Sequence, residues 1–330
     1  MVAEHSVPQN PTVTVLMSVY NGERYLNEAV DSILGQTFTD FEFLIIDDAS
    51  TDRTPEILRS YDDPRIRVVN NEENLGLTKS LNKGLALAKG EYIARMDADD
   101  VSLPKRLEKE MAFLESNATA VLVGTARQTI DHQNRILGIY IPPIRPQYRD
   151  LIKYNSITHG SVVIRKEILE KFSGYNELFR KCQDYALWLQ MSQKYHLFNI
   201  PDVLYKLRVH ENSVSRTGEE SIYYHILAIR AAEGIISQAL IDEIRTAGVK
   251  CLRSYFTDSE WIFYHSSMAN RYRYSNDLNR ARQEYLEIFR IKPFDILNCI
   301  NIVRVSLGKE ILEVTSRVYT TLINKWNYRC

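Results

Sequence analysis

The first hundred residues alternate between two hydrophobic patterns. Runs of apolar and β-branched residues, typical of buried strands, cover Val13–Val19, Phe41–Ile46, Ile66–Val69 and Tyr92–Met96. Between these runs, apolar residues recur at helical spacing from Tyr25 to Leu34, from Thr54-Pro55 onward and from Leu77 to Ala88. Strands that alternate with helices predict βαβ units and a parallel sheet.

Two residues mark expected helix ends. Asn21 belongs to the residue types that cap helix N-termini, so we expect it to cap the first helix. Gly90 follows the third helix, and glycine favours the left-handed backbone of a helix C-terminus. We therefore expect Gly90 to end that helix.

The second part of the chain predicts a mixed sheet. A helix is expected from Pro104 to about Ser116 and another over Gln183–Tyr195, where Leu187 and Trp188 face inward. Strands are expected at Ala120–Val123, Thr125–Ile130, Ile136–Ile141, Ser161–Ile164 and Val203–Val209. The polar link at 131–134 makes the second and third of these a hairpin, which changes the sheet from parallel to mixed.

Beyond about Gly218 the strand patterns stop. Helical periodicity covers Ile222–Ala239, Leu240–Leu252 and Leu278–Ile291. We therefore divide the chain into a tail at 1–11, a domain at 12–217 and a helical region at 218–330.

The end of the chain is mildly basic. Residues 271–330 carry 11 Lys and Arg against 6 Asp and Glu, with Trp326 and Tyr328 near the end. This composition allows peripheral contact with an anionic membrane surface through the C-terminal helices. The alternative, which we favour, is a helical appendage that packs on the preceding domain or on a second copy in a homo-oligomer.

Composition narrows the class of protein. With 330 residues, 45% hydrophobic residues and a net charge of −1, the chain is an ordinary globular protein of one or two domains, without the basic excess of a nucleic-acid-binding protein. Its four scattered cysteines suit a reducing compartment. No signal peptide and no apolar run of membrane-spanning length is evident. We expect a cytoplasmic protein, at most peripheral to the inner face of the membrane.

An acidic cluster follows the fourth predicted strand. The stretch G-E-Y-I-A-R-M-D-A-D-D, Gly90–Asp100, ends in three carboxylates. Carboxylates this close repel one another, so the cluster is either solvated or neutralised by a cation. Mg²⁺ and Mn²⁺ prefer oxygen ligands, and Mg²⁺ usually takes one or two carboxylates together with substrate phosphates. An acidic loop before a helix is the alternative.

Polar residues follow each of the four early strands. They are Ser18–Asn21, Asp47-Asp48, Asn74–Gly76 and Asp97–Asp100. Ligands of open α/β sheets bind beyond the carboxyl ends of the strands. The four segments therefore predict one binding rim.

These motifs resemble a known family. V-T-V-L-M-S-V-Y-N-G, Q-T-F-T-D-F-E-F-L-I-I-D-D-A-S-T-D-R-T, N-x-G-L and G-E-Y-I-A-R-M-D-A-D-D are similar to the motifs of family 2 glycosyltransferases, over roughly 13–215. The resemblance implies the GT-A nucleotide-sugar-binding fold, an α/β fold with a mostly parallel, mixed central sheet flanked by helices, here with a C-terminal helical extension. It also implies sugar transfer from a nucleotide-sugar to an acceptor hydroxyl with inversion at the anomeric carbon.

The resemblance also implies roles for the rim. Ser18 and Tyr20 would meet the base, Asp48 would accept a hydrogen bond from its ring N–H, Asp97 would approach the ribose, and Asp99 would hold Mn²⁺ or Mg²⁺. The donor-binding set is Ser18, Val19, Tyr20, Asp48, Asn74, Gly76, Asp97, Ala98 and Asp99. The alternatives are that Tyr20 is a half-buried packing aromatic residue and that Asp48 is a helix cap.

The acceptor side carries the implied catalytic base. In R-K-C-Q-D-Y-A-L-W-L the position of the base is Asp184. Many members have an acidic residue just before it, where this chain has Gln183, which puts the acceptor contacts in doubt. Cys182 is expected to be a packing thiol, and His159 to line the acceptor side.

His210 lies in L-R-V-H-E-N-S-V-S, at a position where relatives often carry a histidine near the metal or diphosphate. A structural histidine is the alternative. The Q-x-x-R-W motif of processive members is absent from the sequence, so we expect transfer of a single sugar.

The sequence also bears on the donor, the acceptor and two alternative functions. A UDP-sugar donor is favoured by Asp48 and Tyr20, and the acceptor would be a saccharide or a lipid-linked saccharide. A sugar-nucleotide pyrophosphorylase would instead need a Gly-rich, basic loop after the first strand. A catalytically silent relative that binds a partner through its helices is a third possibility, against which the presence of both Asp99 and Asp184 argues.

Overall fold

A computed structural model describes residues 10–210, 218–293 and 295–306. The predictions for the first nine residues, for the motif after His210, and for Trp326 and Tyr328 lie outside the described residues. The chain divides into two compact units. One unit comprises residues 1–217 with 227–236, and the other comprises 218–226 with 237–330.

A nine-stranded sheet organises the first unit. Its strands are β1 Val13–Val19, β2 Phe41–Asp47, β3 Ile66–Asn70, β4 Tyr92–Asp97, β5 Val101–Ser102, β6 Ala120–Ile130, β7 Ile136–Tyr140, β8 Val163–Arg165 and β9 His196–Arg208. The spatial order is β3-β2-β1-β4-β8-β6-β9-β5, and β7 pairs with β6 at the side of this path.

Twelve α-helices accompany the strands within the described residues. They are α1 Leu26–Leu34, α2 Thr54–Arg59, α3 Leu77–Leu87, α4 Arg106–Ser116, α5 Tyr148–Leu151, α6 Lys166–Lys171, α7 Gln183–Ser192, α8 Glu220–Ala232, α9 Gln238–Ala247, α10 Asp258–Tyr274, α11 Leu278–Ile291 and α12 Ile296–Ser306. None of the described helices combines the length and apolarity needed to cross a bilayer.

The early strands form the predicted parallel half of the sheet. β1 lies between β2 and β4, and all three run parallel. Alternate side chains of each strand point to opposite faces. One face buries Val15, Ala94 and their neighbours with apolar residues of α1 and α4. On the other face Gly84 of α3 packs against Leu16 and Ile46.

The later strands make the sheet mixed, as the sequence predicts. β8 runs antiparallel to β4 and to β6, and β7 runs antiparallel to β6. β6 is one continuous strand where two were expected, because it pairs along its whole length with the long strand β9. Gly124 in this strand allows the close approach of β9, since a Cβ there would lie 2.8 Å from Asn199 Oδ1.

Two predicted helix ends are wrong. Asn21 does not cap α1, whose N-cap is Tyr25. Asn21 instead accepts a hydrogen bond from the backbone N–H of Thr51, at 2.8 Å, and so joins two rim loops. α3 ends at Leu87, before Gly90. A Cβ at Gly90 would meet the backbone of Val13 and Thr14, so close packing against β1 explains the glycine.

The second unit is helical within its described residues. α10 and α11 begin with side-chain caps from Thr257 and Asp277. The core of α10, α11 and α12 comprises Ala269, Ala281, Tyr285, Ile288 and Val305. This unit therefore has its own apolar core.

Candidate active site

The acidic cluster lies at the carboxyl end of β4. Arg95 is almost fully buried within this strand, and its guanidinium donates to Asp97 Oδ1 at 2.6 Å. Burial raises the pKa of Asp97, and the charge of Arg95 opposes that shift. Arg95 therefore holds the first carboxylate in place and keeps its charge partly balanced.

Asp99 faces a histidine from a distant part of the chain. Asp99 Oδ2 lies 2.8 Å from His210 Nε2, although 111 positions separate the two residues. The ring of His210 also lies 5.2 Å from the ring of Tyr25, centre to centre. The end of β9 thus brings His210 to the loop after β4.

Asp100 is used inside the protein. Its Oδ1 accepts a hydrogen bond of 2.7 Å from the backbone N–H of Arg208. Burial, followed by the charges of Asp99 and Asp97, raises the pKa of Asp100 well above its usual range. Of the three carboxylates, Asp100 is buried and the other two are part-exposed.

The donor set at this loop fits a divalent cation shared with a substrate. Among the described residues no group of three or more His, Cys, Asp or Glu side chains could hold a metal ion alone. Asp99 and His210 nevertheless present an oxygen and a nitrogen to each other at 2.8 Å. Two protein ligands match the coordination in which substrate phosphates supply much of the shell.

The predicted base-binding residues line the neighbouring strands. Ser18 lies beside Asp97 in the register of β1 and β4, and Val19 is buried. Tyr20 follows β1 with 51% of its surface exposed. This half-buried position fits both the packing role and a ring that contacts a base, so the contact with a base stays a prediction.

Asp48 orders the rim. Its side chain is 2% exposed, and its two oxygens accept hydrogen bonds from Asn71 Nδ2, Leu75 N and Gly76 N at 2.7–2.9 Å. Asp48 therefore fixes the loop that carries the exposed Asn74. It does not cap α2, where Asp52 accepts from the N–H of Thr54. Its contact with a base stays a prediction.

Asp184 lies in the first turn of α7. Asn155 Nδ2 donates to Asp184 Oδ2 at 3.1 Å. Burial raises the pKa of Asp184, the charge of Asp97 raises it further, and hydrogen bonds from the Tyr185 backbone and from Asn155 lower it. A raised pKa makes a carboxylate a stronger base.

His159 contacts α7, the helix that carries Asp184. Its Nε2 is 2.9 Å from the Tyr175 hydroxyl, and its ring makes edge contacts with Tyr175 and with Trp188 of α7. Burial and the charge of Arg95 lower the pKa of His159 well below its usual value, so its imidazole is neutral. Burial raises the pKa of Tyr175, and the charges of Asp184 and Asp97 add to that shift.

Gly160 and Cys182 lie close to His159 and Asp184 in the sequence and show how closely the site is packed. A Cβ at Gly160 would collide with the Tyr205 hydroxyl and lie 2.7 Å from Asp97 Oδ2. Glycine is therefore required where this loop passes the acidic cluster. Burial raises the pKa of the Cys182 thiol to about 12, which supports a packing role, because the nucleophilic form of cysteine is the thiolate.

Sequence reasoning missed several residues of the site. They are Arg95, Asn155, Tyr175, Tyr205 and Arg208. Arg95 offered a signal, because it is the one charged residue between Tyr92 and Met96 and a buried charge needs a partner. Asn155 offered none, since its contact with Asp184 depends on how two distant segments fold together.

The match to a known protein family covers the four early strands and the acidic cluster. The family model described as "Glycosyl transferase family 2" matches residues 14–173. The putative glycosyltransferase EpsE of Bacillus subtilis is 36% identical over 212 residues, which are 62% of this chain and 76% of the relative. WfgD of Escherichia coli, named UDP-Glc:alpha-D-GlcNAc-diphosphoundecaprenol beta-1,3-glucosyltransferase, is 29% identical over 205 residues, which are 62% of this chain and 79% of WfgD.

Solved structures share the fold at lower sequence identity. TarS 1-349 of S. aureus in complex with UDP-GlcNAc is 17% identical with a TM-score of 0.56, and the match covers 89% of this chain and 90% of that one. The mannosyltransferase PcManGT of Pyrobaculum calidifontis, in complex with GDP-Man and Mn2+, is 17% identical with a TM-score of 0.53, covering 92% and 89%. These likenesses confirm the expected GT-A fold, with its mixed sheet flanked by helices and its helical C-terminal region.

Proposed function

The chain belongs to glycosyltransferase family 2, and from this premise we propose that it transfers one sugar from a UDP-sugar, with inversion, to a hydroxyl of a saccharide carried on a lipid diphosphate. The observation that carries the proposal is the short chain of contacts between the ends of β4 and α7. Asp97 Oδ2 lies 2.7 Å from the position of a Cβ on Gly160, and the ring of the adjoining His159 lies 6.0 Å from that of Trp188 on α7, the helix whose first turn carries Asp184.

Asp184 is the general base of this mechanism. As the acceptor oxygen forms its bond to the anomeric carbon, the hydroxyl proton passes to the carboxylate of Asp184. The bond from that carbon to the diphosphate oxygen breaks on the opposite face, through an oxocarbenium-like transition state. General base catalysis of this kind contributes about 10²–10⁴-fold in rate. The raised pKa of Asp184 suits it to accept the proton.

Asp99 and His210 are the residues that would hold Mn²⁺ or Mg²⁺. When bound, the ion would act as a Lewis acid that neutralises negative charge on the departing diphosphate. Asp97, steadied by Arg95, would orient the ribose. The different surroundings of the carboxylates thus give them different tasks.

The donor would lie along the rim, with its base against Tyr20 and the backbone of Ser18 and Val19. The loop held by Asp48, with Asn74 and Gly76, would close this side. The activity for which WfgD is named supports a UDP-sugar donor and a diphosphoundecaprenol-linked acceptor. The Mn2+ bound with GDP-Man in PcManGT supports the metal. We place the enzyme in polysaccharide or glycolipid assembly, in the cytoplasm at the inner face of the membrane.

Asp184→Asn tests the proposal. We expect UDP release from a UDP-sugar in the presence of acceptor and Mn²⁺ to fall by about 10²–10⁴-fold. Binding of the UDP-sugar, measured by its effect on the melting temperature, should persist. The exposed Asp62→Asn is the matched control and should keep its activity. Normal turnover by Asp184→Asn would remove this residue from the role of base.

A further inference from the structure

The hairpin strand β7 and the segment after it expose an unusual amount of apolar surface. We call this set the hairpin surface. Its members, each between 47% and 63% exposed, are Ile136, Leu137, Ile139, Ile141, Ile144 and Tyr154. Large exposed apolar patches mark sites of protein or membrane interaction.

The strand geometry groups two of these side chains, Leu137 and Ile139. β7 pairs with β6, and within the described part of the chain it pairs with no other strand. Leu137 and Ile139 are two positions apart and so share one face of the strand. Gly138 between them leaves the opposite face open, since a Cβ there would meet no atom within 4 Å.

Positive charge borders the hairpin surface. Arg145, Arg149 and Lys153 are exposed. The same stretch holds two acidic residues. Asp131 pairs with Arg135 at 2.6 Å, which leaves Asp150, whose side chain accepts from the backbone of Gln147 at 3.1 Å, as one negative charge against three positive ones. Apolar side chains beside an excess of Lys and Arg match an anionic lipid surface.

The same charges disfavour a second copy as the occupant. Two copies joined through this surface would bring their Arg145, Arg149 and Lys153 side chains towards one another. Like charges brought together in this way repel. An anionic bilayer would instead attract all three side chains and accept the apolar ones.

The base of the hairpin adjoins the acceptor side of the site. The guanidinium of Arg127 on β6 stacks on the ring of Tyr140, 4.5 Å from its centre, and donates to Thr158 Oγ1 at 2.5 Å. Thr158 immediately precedes His159. One short chain of contacts therefore links the hairpin surface to the residues around Asp184.

We propose that the hairpin surface docks the protein on the anionic surface of a lipid bilayer, with the apolar side chains of β7 in the interfacial layer. The consequence for the acceptor rests on the proposed function. A lipid-linked saccharide has its diphosphate at the bilayer surface, so docking through the hairpin brings the acceptor side of the candidate site to it.

Flotation of the full chain with vesicles tests the proposal. We expect binding to vesicles of phosphatidylcholine mixed with phosphatidylglycerol, and weaker binding to phosphatidylcholine alone or at high salt. The double variant Leu137→Ser/Ile139→Ser should bind at least about tenfold more weakly, because two apolar side chains no longer leave water. Each neutralisation among Arg145→Gln, Arg149→Gln and Lys153→Gln should cost about fivefold.

A control variant distinguishes vesicle binding through the hairpin surface from binding through any exposed apolar residue. Ile235, which is 59% exposed, lies in the same unit, and Ile235→Ser should bind vesicles like the unchanged protein. Equal vesicle binding by all variants, or no binding to anionic vesicles at all, would overturn the proposal. A dimer that the double variant dissociates, without vesicle binding, would assign the surface to a second copy and also overturn it.

The test is independent of the proposed chemistry. UDP release from a UDP-sugar without vesicles should be the same in the double variant and the unchanged protein. Absence of that release in the unchanged protein would count against the proposed function and leave the vesicle result standing. Unchanged melting temperatures of the variants show that they fold.

Discussion

Asp184 experiences opposing influences on its pKa. Burial and the charge of Asp97 raise the pKa, whereas hydrogen bonds from the Tyr185 backbone and from Asn155 lower it. The base must be deprotonated to act, so the rate of transfer falls as the pH drops through this pKa. The acid limb of the pH profile therefore reports the balance of these influences.

Asn155→Ala tests that balance. The substitution removes the hydrogen bond of 3.1 Å that favours the carboxylate form of Asp184, so the pKa rises. We expect the acid limb of kcat/KM to move to higher pH, with activity above the limb largely retained. Asn117→Ala, which alters an amide at the end of α4, is the control and should leave the limb in place. An unmoved limb in Asn155→Ala would show that another group sets it.

At the scale of elements, Arg208 ties separate parts of the first unit together. Its guanidinium donates to the backbone oxygen of Asp99 at 2.7 Å, to Asn134 Oδ1 at 2.5 Å and to Glu28 Oε2 at 2.6 Å. It also stacks on Tyr25, 4.5 Å from the ring centre. One side chain therefore connects the end of β9, the acidic loop, the hairpin tip and α1.

Arg208→Lys should loosen this connection. An ammonium group cannot reproduce the forked donor geometry of a guanidinium, so buried acceptors lose partners, at about 1–3 kcal/mol of unfolding free energy. The acidic loop should then hold the ion less well, and UDP release should need more Mn²⁺. Thermal unfolding and a Mn²⁺ titration of UDP release measure the two effects.

Glu28→Gln is the control for this prediction. It alters only the partly exposed partner of Arg208, so both effects should be smaller. Equal effects of Arg208→Lys and Glu28→Gln would locate the role of Arg208 in its pairing with α1. They would leave no special role for its contact with the acidic loop.

The sequence predicts elements better than the contacts between them. The strands β1, β2 and β4 follow from their buried runs, because two covered faces require apolar side chains throughout. The expected break near Gly124 was wrong because that glycine serves the close approach of Asn199 on β9. Asn21 likewise binds a neighbouring loop. A local pattern cannot distinguish a glycine or asparagine that ends an element from one that serves a distant neighbour.

In the candidate site, too, the positions of the elements were predictable and the contacts between segments were not. The rim was predictable because parallel strands place their carboxyl ends together, which brings Ser18 beside Asp97. The roles of Asp48 and Arg95 within the fold could not be predicted. Both depend on partners supplied by other segments, and no spacing in the sequence records those partners. The assignments of donor-binding and metal-binding residues stay predictions.

At the scale of the whole molecule, the chain contains two units with separate apolar cores. All the candidate catalytic and donor-binding residues belong to the first unit. Tyr285 belongs to the core of the second, where it is 3% exposed and packs with Ala281 and Ile288. A mutation should therefore be able to lower the stability of the second unit without changing the chemistry of the first.

Tyr285→Ala tests that separation. Truncating a buried aromatic side chain should lower the unfolding free energy of the second unit by about 3–5 kcal/mol, whereas UDP release by the folded protein should be unchanged. The neighbouring Leu286, 37% exposed, provides the control, because Leu286→Ala should cost less than about 1 kcal/mol. Thermal unfolding and UDP release, measured on the same preparations, give the two readings. Loss of UDP release in Tyr285→Ala below its unfolding temperature would show that the helical unit supports the chemistry of the first, against the independence that two separate cores predict.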